Sequence, residues 1–161
     1  MTDAPARAAP LTIGGWLVLL GVGIVLAPFL VLLNLTTLWR DVFASGAFDI
    51  MSDTTSPDYD PLWPVVLVGE LAFQVMMLLA TLLLAASFFR RKWAFPRLYL
   101  GVNLMALTAN LVDIAAVRHL LPELPLFDSA TVQTFASLAI SLLIWTPYLF
   151  LSDRARRTFI A

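Results

Sequence analysis

Four long apolar runs, 13–38, 64–89, 98–121 and 132–151, constrain this chain more than any other feature. A helix rises 1.5 Å per residue, so a run of ~20 residues crosses the ~30 Å of hydrocarbon in a bilayer. None of the four alternates apolar with polar residues, which excludes the strands of a membrane barrel. Each is also too evenly apolar for a helix lying on a surface with one wet face. Composition agrees, because 60% of the 161 residues are apolar and 13% are charged, against about 45–50% and about 25% in a soluble domain. The polar residues are too few to cover a water-facing surface. The sequence therefore predicts an all-α, polytopic membrane protein: a four-transmembrane-helix bundle in one domain over 1–161, with the lipid bilayer as its first partner.

The first run needs a further test, because Arg7 before it and Ala44-Ser45-Gly46-Ala47 after it resemble the flanks of a signal peptide. Its 26 residues (13–38) far exceed the ~7–15 of a signal h-region, so a mature membrane helix is expected, bent at Pro28. Between the runs lie a long connection over 39–63 with turn formers such as Ser56-Pro57 and Pro61, a basic one over 90–97, and a mildly acidic one over 122–131.

Net charge is −1, yet the charges are sorted. Placing both ends of the chain and the second connection on one side collects Arg7, Arg90, Arg91, Lys92, Arg97, Arg154, Arg156 and Arg157 there, with Asp3 and Asp153. The opposite side holds Arg40 and Arg118 with Asp41, Asp49, Asp53, Asp58, Asp60, Glu123 and Asp128. By the bias of Lys and Arg towards the cytoplasm, the expectation is a multi-pass protein with N- and C-termini cytoplasmic. Trp39, Trp63, Trp93, Tyr99 and Tyr148 fall near the run ends, where amphipathic rings sit at the interface. The basic clusters read first as topology determinants and second as a surface for anionic lipid headgroups. Nucleic-acid binding has no support.

Two ionisable residues, Glu70 and Asp113, fall deep inside runs, where such groups are expensive. Antiparallel packing of the second and third runs brings them to one level. Gln74 follows Glu70 at i+4, and Asn103, Asn110 and Asp113 share a helical face, so a polar seam between helices is expected. Arg40 and Arg118 are its candidate charge partners. One reading makes this seam interhelical glue, in which side chains satisfy one another because lipid offers no hydrogen bonds. The other makes it an outward-open site for a proton, a cation or a polar ligand. His119, the one histidine, is expected at the headgroup level.

Catalytic chemistry finds no footing. With no cysteine, thiol chemistry and thiolate metal sites are excluded, and no nucleophile stands with a base. No cofactor and no metal site are expected, and the chain reads as a non-enzyme. Gly14-Gly15 with Gly21 and Gly23 is no phosphate loop, because it runs into an apolar helix rather than following a strand. Gly23 and Ala27, and Ser137 and Ser141, instead read as small-residue helix contacts.

Three groups of residues carry a resemblance: Ile13-Gly14-Gly15-Trp16-Leu17 with Gly21 and Pro28; Phe88-Phe89-Arg90-Arg91-Lys92 with Phe95-Pro96; and Ile144-Trp145-Thr146-Pro147-Tyr148 with Ser152, Arg154, Arg157, Thr158 and Phe159. Together they resemble the bacterial family called domain of unknown function 2569. The resemblance implies a small four-helix integral membrane protein of the bacterial inner membrane and no known activity or catalytic set. Its motifs cluster at the basic face, which implies a packed structure there. The function expected is that of a structural or accessory bundle that self-associates or docks to a membrane-protein partner, with a proton- or cation-linked transporter as the alternative.

Overall fold

The computed structural model describes residues 11–56, 59–123, 125 and 128–160, so Asp3, Arg7 and Asp58 lie outside them. The regular elements are Trp16–Leu38 (α1), Ala47–Ser52 (α2), Leu62–Phe89 (α3), Phe95–Leu120 (α4), Ser129–Ile140 (α5), Thr146–Leu151 (α6) and Asp153–Thr158 (α7), with π-helical turns at Trp39–Ala44 and Ser141–Trp145. Four continuous stretches are long and apolar enough to cross a membrane: Trp16–Ala44, Leu62–Phe89, Phe95–Leu120 and Ser129–Leu151. All four carry large exposed apolar side chains, among them Phe29, Leu79, Val112 and Leu143. On a water-soluble protein so much apolar surface marks an interface; here it is the face that meets lipid.

The first connection differs from its expected course. Its aspartates and turn formers predict irregular chain from residue 39, but helical backbone continues through the π-helical turn to Ala44 and resumes in α2. Aromatic residues explain this. Trp39 stacks on Phe43 at 5.4 Å, and Phe43 stacks on Phe48 at 5.0 Å. Gly46, at φ +80°, breaks the chain between them, a left-handed conformation open to glycine.

The fourth span is interrupted. Pro147 has no N–H, and its ring crowds the carbonyl four residues back, so the helix widens over Ser141–Trp145 before α6 begins. The backbone N–H and the Oγ1 hydroxyl of Thr146 both donate to the Ser141 carbonyl, which leaves the wider turn satisfied.

The spans pack in a row, α1 on α3, α3 on α4, and α4 on the fourth span. The core lies at one end of that row. Leu17, Leu20 and Ile24 of α1, Leu84 and Phe88 of α3, Phe95 and Tyr99 of α4, Leu149 of α6, and Ala155 and Phe159 of the C-terminal segment form one buried cluster. This is the basic end, where the 90–97 turn and α7 lie. Phe95 stacks on Phe159 at 4.5 Å, and Phe88 packs on both at 5.2 and 5.8 Å. Gly21 admits Phe88, since a Cβ there would lie 3.0 Å from the ring.

The turn out of α3 is a Schellman motif. Arg91 N–H donates to the Phe88 carbonyl and Lys92 N–H to that of Ser87, both at 3.0 Å. Arg91 occupies the left-handed position at φ +49°, where glycine or asparagine is usual.

Candidate functional site

At the acidic end α3 and α4 stand apart around a cavity of about 430 Å³ lined by Glu70, Gln74, Asn110 and Asp113 together with apolar side chains of both helices. Glu70 lies eight residues into α3 and Asp113 seven residues before the end of α4, so both sit ~10–12 Å along their helices from the acidic end. The antiparallel turn at 90–97 puts them level. Asn110 donates its amide to the Ala106 carbonyl of its own helix at 2.8 Å, which leaves its carbonyl oxygen as an acceptor. The polar lining is thus two carboxyl and two carboxamide groups.

Asn103 is not part of this lining. It donates to the Tyr99 carbonyl at 2.8 Å, and its side chain and that of Ser141 lie near the Tyr99 side chain. The proposed stripe therefore divides, with Asn110 and Asp113 at the cavity and Asn103 two turns away on the fourth-span side. Neither arginine reaches the carboxyls. Arg40, exposed near the acidic end of the first span, pairs with its neighbour Asp41 at 2.7 Å, a nearer acid than either carboxyl of the cavity. Arg118 forms no ion pair among the described residues and is exposed, as is His119. Sequence reasoning missed the apolar walls, Val66 and Phe73 on α3 and Ala109 and Ala116 on α4. Their spacing of three and four residues from Glu70 and Asp113 was the available signal.

Outside the membrane, the acidic end is trimmed by local caps. Asp128 accepts from the Thr131 N–H at 2.8 Å and caps α5. Hydrogen bonds from the Thr131 side chain and backbone hold its carboxyl below the ordinary carboxylate range. Asp53 is held low in the same manner by the backbone and hydroxyl of Thr55. Ser52 Oγ is buried with no hydrogen-bond partner among the described residues.

The remaining motif residues gather at the basic end. Gly15 has φ +58°, and a Cβ on Gly14 would strike the Arg154 guanidinium, so the glycine pair forms a seat for that side chain. Leu11 N–H donates to the Arg157 carbonyl at 3.1 Å, which ties the chain before α1 to α7. Pro96 starts α4 in its first turn, where its missing N–H is harmless. Trp145 stacks edge-on to Tyr148, and both pack on the core, while Trp16 is exposed beside the seat. Arg90, Arg91, Lys92, Arg97, Arg154 and Arg156 are exposed, with Arg97 lying over the Trp93 ring at 4.9 Å.

A row of four apolar spans, cored at one end and cleft at the other, defines a multi-pass helical membrane protein. The chain belongs to the family described as protein of unknown function (DUF2569), whose model matches residues 10–160. No curated protein and no solved structure matches it.

Proposed function

We propose that this protein is a non-enzymatic accessory component of a bacterial inner membrane, with its basic end cytoplasmic, and that the cavity between α3 and α4 receives a cationic or hydrogen-bond-donating side chain from the span of a partner protein. One observation carries the reading. Glu70 and Asp113, both within apolar spans, line one cavity between α3 and α4 with no cationic side chain of the described residues paired to them. Lipid supplies no hydrogen bonds there, so such groups are stable when something with donors covers them. The cytoplasmic placement rests on the sorting of Lys and Arg to one end.

A photocrosslinking residue at Val112, an exposed member of the cavity wall, tests this in native membranes. The expected result is one defined adduct that disappears in the Glu70→Gln/Asp113→Asn double variant. An adduct indifferent to the carboxyls removes the accessory reading. A second reading is favoured by the acceptor-rich lining: four oxygen-bearing side chains in one cavity suit a free cation or proton, and the site then serves transport. Proteoliposome flux that falls in the same double variant, with no adduct at Val112, selects it. For topology, a membrane-impermeant thiol reagent should label Thr54→Cys from outside and Arg156→Cys only after lysis; labelling of both from one side overturns the orientation.

A further inference from the structure

We propose that the basic end is a docking surface for anionic phospholipid headgroups, built from the 90–97 turn and α7 and centred on Arg91 and Arg154. Charge is the first argument. Arg90, Arg91, Lys92, Arg97, Arg154 and Arg156 are exposed at this end, none forms an ion pair among the described residues, and Asp153 is the one carboxylate of the described residues there. Clustered basic residues at a membrane face attract anionic lipid.

Arrangement is the second argument. The two elements are not loose arms. The turn runs between Phe88 and Phe95, α7 ends at Phe159, and these three rings pack together, so the core holds both sets of cations on one rigid base. Arg154 is seated against Gly14 and Gly15, which fixes it at the level where α1 leaves the membrane. Exposed Trp16 and Trp93 mark the same level, and Arg97 lies over the Trp93 ring. Indoles of this kind sit among headgroups, so the guanidinium groups beside them meet phosphates.

Backbone strain is the third. Arg91 stands at φ +49° in the closing position of a Schellman motif. Glycine relieves that conformation, so the fold gains nothing from arginine there, whereas a cation projected at the membrane face does. This makes Arg91→Gly an informative variant, because it removes the charge while favouring the turn.

The experiment titrates short-chain phosphatidylglycerol, and separately phosphatidylcholine, into the purified protein in neutral detergent and follows the thermal unfolding midpoint. Phosphatidylglycerol is expected to raise the midpoint and phosphatidylcholine to leave it, with the effect shrinking as salt rises. Arg91→Gly should unfold no earlier than the parent without lipid, yet bind phosphatidylglycerol about fivefold more weakly, and Arg91→Gly/Arg154→Gln weaker again. Arg40→Gln at the opposite end should bind as the parent does. Equal responses to the two lipids overturn the proposal, as does an Arg91→Gly protein with full phosphatidylglycerol affinity.

Discussion

At the basic end Phe88, Phe95 and Phe159 interlock and α7 lies across them, whereas at the acidic end α3 and α4 enclose a cavity lined by four polar side chains. The same two helices make both arrangements. Lipid tails are as apolar as leucine, so helices gain nothing by merely hiding apolar surface from one another, and association depends on shape and hydrogen bonds. The basic end uses shape: Gly21 lets Phe88 reach α1, and the rings fill the space between spans. The acidic end has polar groups without that fit. Close packing thus collects at one membrane face and a polar cavity at the other, so the basic end is expected to be the more stable half.

The contrast can be broken most directly at Phe88. Phe88→Ala empties the centre of the core and should cost about 3–5 kcal/mol, read as a lowered unfolding midpoint in mixed micelles; a midpoint unchanged would show that the aromatic cluster is not the stabilising half. Gly21→Val should follow at roughly 1–3 kcal/mol, because its branched side chain drives into the same ring. Gly15→Ala is expected to lose about 1–2 kcal/mol through its left-handed backbone alone, read in the same unfolding measurement.

Changes at the acidic end should be smaller in stability. Glu70→Gln/Asp113→Asn is expected within about 0.6 kcal/mol of the parent, the scale of polar contacts between membrane helices; a larger loss would make the seam a structural clasp. Smallest and most local is Asp128. Its folded carboxyl lies below the ordinary range because Thr131 donates to it, so its support of α5 is complete above that range and fades as pH falls through the lowered value. The Thr131 amide proton should titrate there by NMR, and Asp128→Asn should abolish that titration while leaving the Phe88 cluster untouched.

The spans were legible because bilayer thickness fixes their length and an apolar run has one stable form in lipid. Glu70 and Asp113 were legible at one level because antiparallel helices convert sequence position into depth. Asn103 was misassigned because spacings of seven and three define a face on an isolated helix but not which neighbour that face meets. The continuation of helix to Ala44 was missed for a related reason: it depends on stacking of Trp39, Phe43 and Phe48, a contact across a glycine that no hydropathy window records. Packing at the basic face was implied by the motif residues 152–159, but not which residues meet there: Asp153–Thr158 is mostly charged, and its buried positions make sense only once Phe88 and Phe95 are in place to receive them.

That late-placed helix bears on how the protein is made. Leu17 and Phe159 belong to one core, so its first members wait for its last through most of synthesis, on the order of 10 s at ordinary elongation rates. During that interval each span can enter the bilayer on its own, but the Gly14-Gly15 seat stands empty and the rings of Phe88 and Phe95 lack their cover. Insertion and folding are therefore separate events in this chain. A product truncated before α7 would hold all four spans and still be an unfinished protein, with its aromatic core uncovered at the basic end.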